Sequence, residues 1–392
     1  MKTKKALVKV LSTALLCAVA VSACACSEEF VDFLESLVTD AESITPVPDS
    51  TTPVSPDTTA PSTENRIPFG RAPEVGEYNL PAESFGDQYE KEASEVIDGA
   101  IEAAVAYVNA MKDERHSTTS FTFDPDANGY LSKLTPEERG LYERIVSAGK
   151  NFERISVSES EYSGDLKAAY FDIYEPMTYC EPGLASYMTL DVKTHLEANS
   201  DSLVSHYSLI FDRYFDPARD ANATLSAGEI TMEEIAHGAK LLDAVVKRIV
   251  RFMPDGLTTY DKYYYLAVVL CEKVTYDERA ENCFSAYGAL VGGRAVCEGY
   301  TSAYYMLCRE AGLWCAYRDG QPTGVGHTWN MVKLDSGIYN VDVTWCDGYG
   351  KPSSRRWYDC FVRSDKAFED DGHNATAGVA GTGVYEPCPY ET

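Results

Sequence analysis

Ala286-Tyr287-Gly288-Ala289-Leu290-Val291-Gly292-Gly293-Arg294-Ala295-Val296-Cys297-Glu298-Gly299-Tyr300-Thr301-Ser302-Ala303-Tyr304 is the stretch on which the reading of this chain turns. Two glycines lead toward Cys297, and beyond it Tyr300, Ala303, Tyr304, Leu307, Cys308 and Ala311 recur at helical spacing. Gly312 fits the C′ position that ends such a helix. Cys297 is therefore expected at or just before a helix N-terminus. Free N–H groups and the helix dipole there favour a thiolate, and the same amides can hold a developing oxyanion. Taken alone, a cysteine here reads more readily as a small buried side chain filling a gap.

A second stretch changes that balance. Gly324-Val325-Gly326-His327-Thr328-Trp329-Asn330-Met331-Val332-Lys333-Leu334 and Gly337-Ile338-Tyr339-Asn340-Val341-Asp342-Val343-Thr344-Trp345 read as two strands around a turn at Asp335-Ser336-Gly337. His327 opens the first strand and Asp342 lies in the second. With a two-residue loop at Asp335-Ser336, residue 329 pairs with 342. His327 and Asp342 then share a face as diagonal neighbours, roughly 7–8 Å apart. A three-residue loop puts them on opposite faces unless a bulge intervenes. A carboxylate between Val341 and Val343 needs a partner, and an imidazole oriented by an acid is what a thiol nucleophile needs.

Residues 255–375 resemble the core of the transglutaminase-like superfamily. The resemblance rests on Val296-Cys297-Glu298-Gly299-Tyr300, Gly326-His327-Thr328-Trp329-Asn330 and Tyr339-Asn340-Val341-Asp342-Val343-Thr344-Trp345. Tyr264 to Asp277 is similar to the helix preceding the cysteine, and Tyr358 to Asp365 to the strand that closes the domain. Thr328 stands where Ala is usual, and Cys346 where an acidic residue is frequent. The resemblance implies a papain-like core with Cys297 as nucleophile, His327 as base and then acid, and Asp342 as orienter. It implies no cofactor and no metal. Tyr287 and Trp329 are candidates to line the substrate site. The implied reaction passes through a thioester on a peptide or protein amide substrate, the acyl group going to water or to an amine. Hydrolysis is favoured at a wet surface, and such bacterial domains are often regarded as peptidases; a cross-linking transglutaminase and a non-catalytic peptide- or wall-binding protein stay open.

Outward from this core, the 392-residue chain changes character. The reading is α+β, with a mainly helical part over 69–250 and the cysteine helix packed on an antiparallel sheet over 251–392. Ala93, Val96, Ile97, Ile101, Ala104, Val105 and Val108 mark one helix. Thr135-Pro136-Glu137-Glu138 starts another with a cap and a first-turn proline, and Thr231 to Glu234 a third by the same capping logic. Asp124-Pro125-Asp126-Ala127-Asn128-Gly129-Tyr130-Leu131-Ser132 resembles the start of a calcium loop, but Thr135 stands where the bidentate Glu belongs. An Asx-rich turn explains the same residues.

The N-terminus is a targeting segment. Lys2, Lys4, Lys5 and Lys9 precede an apolar run from Val10 to Val21, then Val21-Ser22-Ala23-Cys24. This resembles a bacterial lipoprotein signal over 1–23, with lipid on Cys24 and anchorage to the outer face of the cytoplasmic membrane. Residues 24–68, rich in Pro, Thr, Ser and Asp, read as a tether. No other stretch is apolar enough to span a bilayer. Lys plus Arg total 34 against 61 Asp plus Glu, a formal charge of −27 that argues against nucleic acid as a partner. The 12 cysteines contain no CxxC pair, which argues against structural zinc, and the chain is large enough to need no disulfide scaffold.

Overall fold

The computed structural model describes residues 88–110, 120–153, 155–198, 203–213 and 232–383, all within the unit Arg71–Thr392. The signal segment, Cys24, the tether and Thr231 lie outside the described residues.

Helix α1 (Gln88–Ala110) buries Ala93, Ile97, Ala100, Ile101, Ala104, Val105 and Val108, an apolar stripe at three- and four-residue spacing. Helix α2 (Pro136–Lys150) starts on the expected capping box. The Thr135 hydroxyl accepts from the Glu138 amide, and the Glu138 carboxylate accepts from the Thr135 amide. Just before it, the calcium-like segment is a turn tied into the protein. Asp124 accepts from the Asp126 amide, and Asp126 from the amides of Leu131 and Ser132. The Asn128 side chain pairs in both directions with the Tyr317 backbone.

Strand β1 (Ile155–Ser158) and helix α3 (Leu166–Cys180) come next, followed by a long hairpin of β2 (Met188–Ala198) and β3 (Leu203–Arg213). These strands form an antiparallel sheet in the order β1-β3-β2. The sheet interrupts a stretch that reads mainly as helix from sequence. Leu190, Val192, Thr194 and Leu196 alternate with polar or charged residues, the period-two pattern of a strand.

Helices α4 (Met232–Arg251), α5 (Thr259–Lys273) and α6 (Cys297–Glu310) build the centre. A second capping box, Thr258 with Asp261, starts α5. This helix is apolar on every side, from Tyr263 to Leu270, because α1, α6 and the segments beyond them surround it. Three of its buried tyrosines have their hydroxyls satisfied: Tyr263 donates to Trp314 O, Tyr264 to Pro352 O and Tyr265 to Ile249 O. Arg248 of α4 is buried against α1, donating twice to the Asp98 carboxylate at 2.5 and 2.8 Å. One apolar core runs from α1 and α4 through α5 into α6 and the following sheet. It therefore crosses position 250, where the sequence suggests a domain boundary.

Helix α6 ends as expected, with Gly312 in the left-handed region at φ 68°. Strands β4 (Cys315–Gly320), β5 (His327–Leu334) and β6 (Gly337–Val341) then form a meander, followed by helix α7 (Val343–Gly348). Strand β7 (Phe361–Arg363), helix α8 (Asp365–Asp370) and strand β8 (Ala375–Gly378) complete an antiparallel sheet in the order β8-β4-β5-β6-β7. Leu334 pairs with Gly337 and Asn330 with Val341, the register of the two-residue loop. Asp342 departs from its expected place inside the strand. It stands one residue beyond β6 and caps α7, its carboxylate accepting from the Trp345 amide at 3.0 Å. A capping acid outweighs the strand preference of its valine neighbours.

Candidate active site

Cys297 is the first residue of α6, with Val296 at the cap position and no side chain closing the helix end. The amides of Cys297, Glu298 and Gly299 precede the first intrahelical bond, from Tyr300 N to Val296 O. Gly299 lets this end approach the preceding loop. A Cβ there would lie 2.5 Å from Cys283 O and 2.8 Å from the Ala295 Cβ. Two bonds seat α6 on β5: Thr301 Oγ1 donates to Thr328 O at 3.0 Å, and Asn330 Nδ2 to Thr301 O at 3.3 Å. They hold the cysteine's helix beside the strand that His327 opens.

His327 is buried, with 8% of its surface exposed. Its Nε2 lies 2.6 Å from Asp342 Oδ2, and Cys297 acts on the same imidazole, helping to raise it. Since Nε2 faces the acid, Nδ1 is the nitrogen left for sulfur. Burial alone would make the ring harder to protonate. The Asp342 charge and hydrogen bond, with Cys297 adding to them, win and push the imidazole up to about 10. Asp342 is fully buried, which opposes its ionisation. The His327 charge and hydrogen bonds from two imidazoles outweigh this and hold the carboxyl well below the usual carboxylate range. The structure thus joins His327 directly to Asp342, with Cys297 acting on the same ring.

The second imidazole belongs to His373, which no motif in the sequence marks. It is wholly buried, and its Nε2 lies 2.9 Å from the same Asp342 Oδ2. Strand β8 carries it there by pairing Ala375 with Gly320, which itself pairs with His327. His327, Asp342 and His373 offer ligand atoms all within 4.8 Å of one another, close enough to count as a possible metal group. The separations of 2.6 and 2.9 Å are hydrogen-bond lengths, shorter than the roughly 3.3 Å between neighbouring ligands of a tetrahedral zinc.

Trp329 is buried behind this chain and donates from Nε1 to Asn340 Oδ1 at 2.8 Å. Its ring packs on His327 and His373. Asn340 in turn donates to Arg363 O and Asp365, and Arg318 pairs with Asp365. Tyr287 lies against Gly238 of α4, where a Cβ on the glycine would sit 3.3 Å from its ring, and its amide donates to Ser186. Two further carboxyls lie close by, Glu298 next to Cys297 in α6 and Asp319 opposite Thr328 on β4. Burial, with the Asp319 charge adding, raises Glu298 to about 7. Burial likewise raises Asp319 to about 6, against a hydrogen bond with Thr328.

Residues 245–346, which contain Cys297, His327 and Asp342, match the family model of the transglutaminase-like superfamily. The chain carries a transglutaminase-like domain. Among curated proteins, human kyphoscoliosis peptidase is 25% identical over 124 residues, covering 27% of this chain and 18% of the human protein. The mouse protein of the same name is 28% identical over 96 residues, covering 20% of this chain and 14% of its own. The chain thus spans less than a fifth of either relative. A solved chain from Cytophaga hutchinsonii, described only provisionally as a cysteine protease, aligns with a TM-score of 0.25 and 12% identity. That alignment covers 48% of this chain and 68% of the other. A TGase crystal structure aligns at 0.24 and 15% identity, covering 49% and 50%. At these scores neither structural comparison bears on the chemistry.

Proposed function

We propose that this protein is a thiol-dependent acyl-transfer enzyme that hydrolyses amide bonds in a peptide or protein, anchored at a bacterial surface through lipid on Cys24. The observation that carries the reading is the 2.6 Å contact between His327 and Asp342, with Cys297 at the start of α6 acting on the same ring. A binding protein has no physical need for all three.

In the proposed reaction the Cys297 thiolate attacks the amide carbonyl carbon, forming a C–S bond. Amides at the start of α6 face the oxygen on which negative charge develops. The His327 imidazolium passes its proton to the departing nitrogen as the C–N bond breaks, leaving a thioester. Water then attacks the thioester while His327 takes its proton. The acid departs and the thiolate–imidazolium pair is restored. Asp342 keeps the ring oriented and balances its charge throughout. The peptidase name of the curated relatives supports water over an amine as the acceptor.

The test is mass spectrometry after a limiting dose of iodoacetamide. Among the described cysteines, Cys180, Cys283, Cys308, Cys315, Cys346 and Cys360 are buried, and burial pushes the Cys180 thiol up to about 12. Cys271 is partly exposed, but burial among protein atoms raises its thiol as well. Cys297 is therefore expected to be labelled first, and His327→Ala to slow its labelling selectively. Equal labelling of all thiols in both proteins overturns the reading.

A further inference from the structure

The domain match ends at residue 346, and His373 lies beyond it. Its environment is unusual for a filler of the core. Asp342 Oδ2 receives two imidazole nitrogens, His327 Nε2 at 2.6 Å and His373 Nε2 at 2.9 Å, while Oδ1 accepts the Trp345 amide. An ionised carboxylate only accepts hydrogen bonds, so each of these ring nitrogens carries a hydrogen. The other nitrogen of His373, Nδ1, is buried without a hydrogen-bond partner. The bond to Asp342 is thus the polar contact that accounts for a histidine at this position.

The surroundings fix the ring in place. Its centroid lies 4.1 Å from the Trp345 ring, 4.2 Å from Phe368 and 5.3 Å from Trp329. An aromatic box of this kind would accept phenylalanine. The His373 backbone is anchored separately, its amide donating to Phe368 O at 2.8 Å. The next residue, Asn374, accepts the Gln321 amide at 2.9 Å.

We propose that His373 is a positioning residue for the acyl-transfer site: its Nε2–H holds Asp342 Oδ2 in line with His327 and shares that oxygen's negative charge, extending the chain Cys297–His327–Asp342 by a fourth member. The inference rests on the catalytic reading for its meaning but not for its test. Without the fourth member, Asp342 keeps more of its charge for His327 and loses one of three restraints on its orientation. Other titratable neighbours bear on this chain. Cys297 and Asp319 act on His327, the Cys346 and Cys360 thiols lie near Asp342, and Asp371 acts with His373.

The decisive experiment is an NMR titration of the His327 imidazole in wild type, His373→Phe and His373→Gln. Gln can present an N–H where Nε2 stands, whereas Phe fills the box with no donor. In His373→Phe the His327 titration is expected to move up by about one pH unit, and one slowly exchanging downfield imidazole N–H to vanish. His373→Gln is expected to return the titration close to wild type. His373→Asn, whose shorter amide does not reach that place, is expected to behave like His373→Phe and serves if the Phe variant fails to fold. An unmoved His327 titration in the Phe and Asn variants, or identical shifts in all three, overturns the proposal. If wild-type Cys297 proves no more reactive than the buried thiols, the catalytic reading fails while the titration still decides the link between His373 and His327.

Discussion

The Thr301 hydroxyl, one turn into α6, donates to the Thr328 carbonyl next to His327 at 3.0 Å. This bond joins the helix that begins at Cys297 to the strand that begins at His327, so it sets the spacing between sulfur and ring. Thr301→Val keeps the shape and removes the donor. It is expected to cost about 1 kcal/mol of stability and to slow iodoacetamide labelling of Cys297 roughly tenfold at pH 7. Urea denaturation and labelling kinetics read the two effects separately. A loss of stability with unchanged labelling would reduce Thr301 to a structural role.

The His327–Asp342 pair gives stability a defined pH window. The folded imidazole is raised from its ordinary value of 6.5 to about 10, so its contribution is complete below about pH 6.5 and disappears as pH rises through 10. Asp342 has the opposite sign. Its depressed carboxyl contributes above the usual carboxylate range and loses that contribution in acid. The stability difference between wild type and His327→Gln is therefore expected to shrink from pH 6.5 to pH 10, by at most about 1.4 kcal/mol per pH unit. Denaturant titrations of both proteins at matched pH measure it. A difference that stays flat over that range would remove the ion pair from the account.

Asp98 and Arg248 join α1 to α4 in the interior, with only 1% of the arginine side chain exposed. Removing the acid takes both of its short bonds from a buried guanidinium, leaving Glu90 at 3.6 Å and Ser94 at 3.4 Å, whereas replacing both partners with apolar side chains removes the charge. Asp98→Ala is expected to cost about 3 kcal/mol, and the double variant Asp98→Ala/Arg248→Met less than the single one. Chemical denaturation of the two variants checks the order. An additive, larger loss in the double variant would show that Arg248 holds the helices through contacts other than Asp98.

Cys297, His327 and Asp342 stand out as candidates in the sequence because each sits in a local signal. The cysteine precedes a helical period, the histidine opens an alternating strand, and the acid stands between valines where a carboxylate needs a partner. Of the two loop lengths the sequence leaves open at Asp335-Ser336-Gly337, the structure takes the two-residue one. Asp342 as a helix cap was hidden because Val341 and Val343 read as a continuing strand. His373 had no local signal at all. Its partner Asp342 lies 31 residues away, and only the pairing of β8 with β4 brings the two into contact. Trp329 beside His327 suggested a wall of the site; the buried bond to Asn340 turns its indole to support the two imidazoles instead. The β2–β3 hairpin was missed for a different reason. Its alternation is plain at Leu190, Val192, Thr194 and Leu196, but the helical signals on either side are stronger.

The proposed anchor rests on Cys24, which follows a short apolar run and the small residues Ser22 and Ala23. Among the described residues no helix is long and apolar enough to cross a membrane, so the attachment is argued from the N-terminal segment alone. A single thioether-linked diacylglycerol with an N-terminal acyl chain buries enough methylene groups for stable anchoring, at about 0.8 kcal/mol for each. Expressed in a bacterial host fed labelled palmitate, the full chain is expected to take up label and partition into detergent. Cys24→Ser is expected to do neither. Wild-type protein that stays unlabelled and aqueous, or a Cys24→Ser variant labelled as well as wild type, would refute lipidation at this cysteine and leave the active-site proposal intact, since that site lies in the distant residues 297–373.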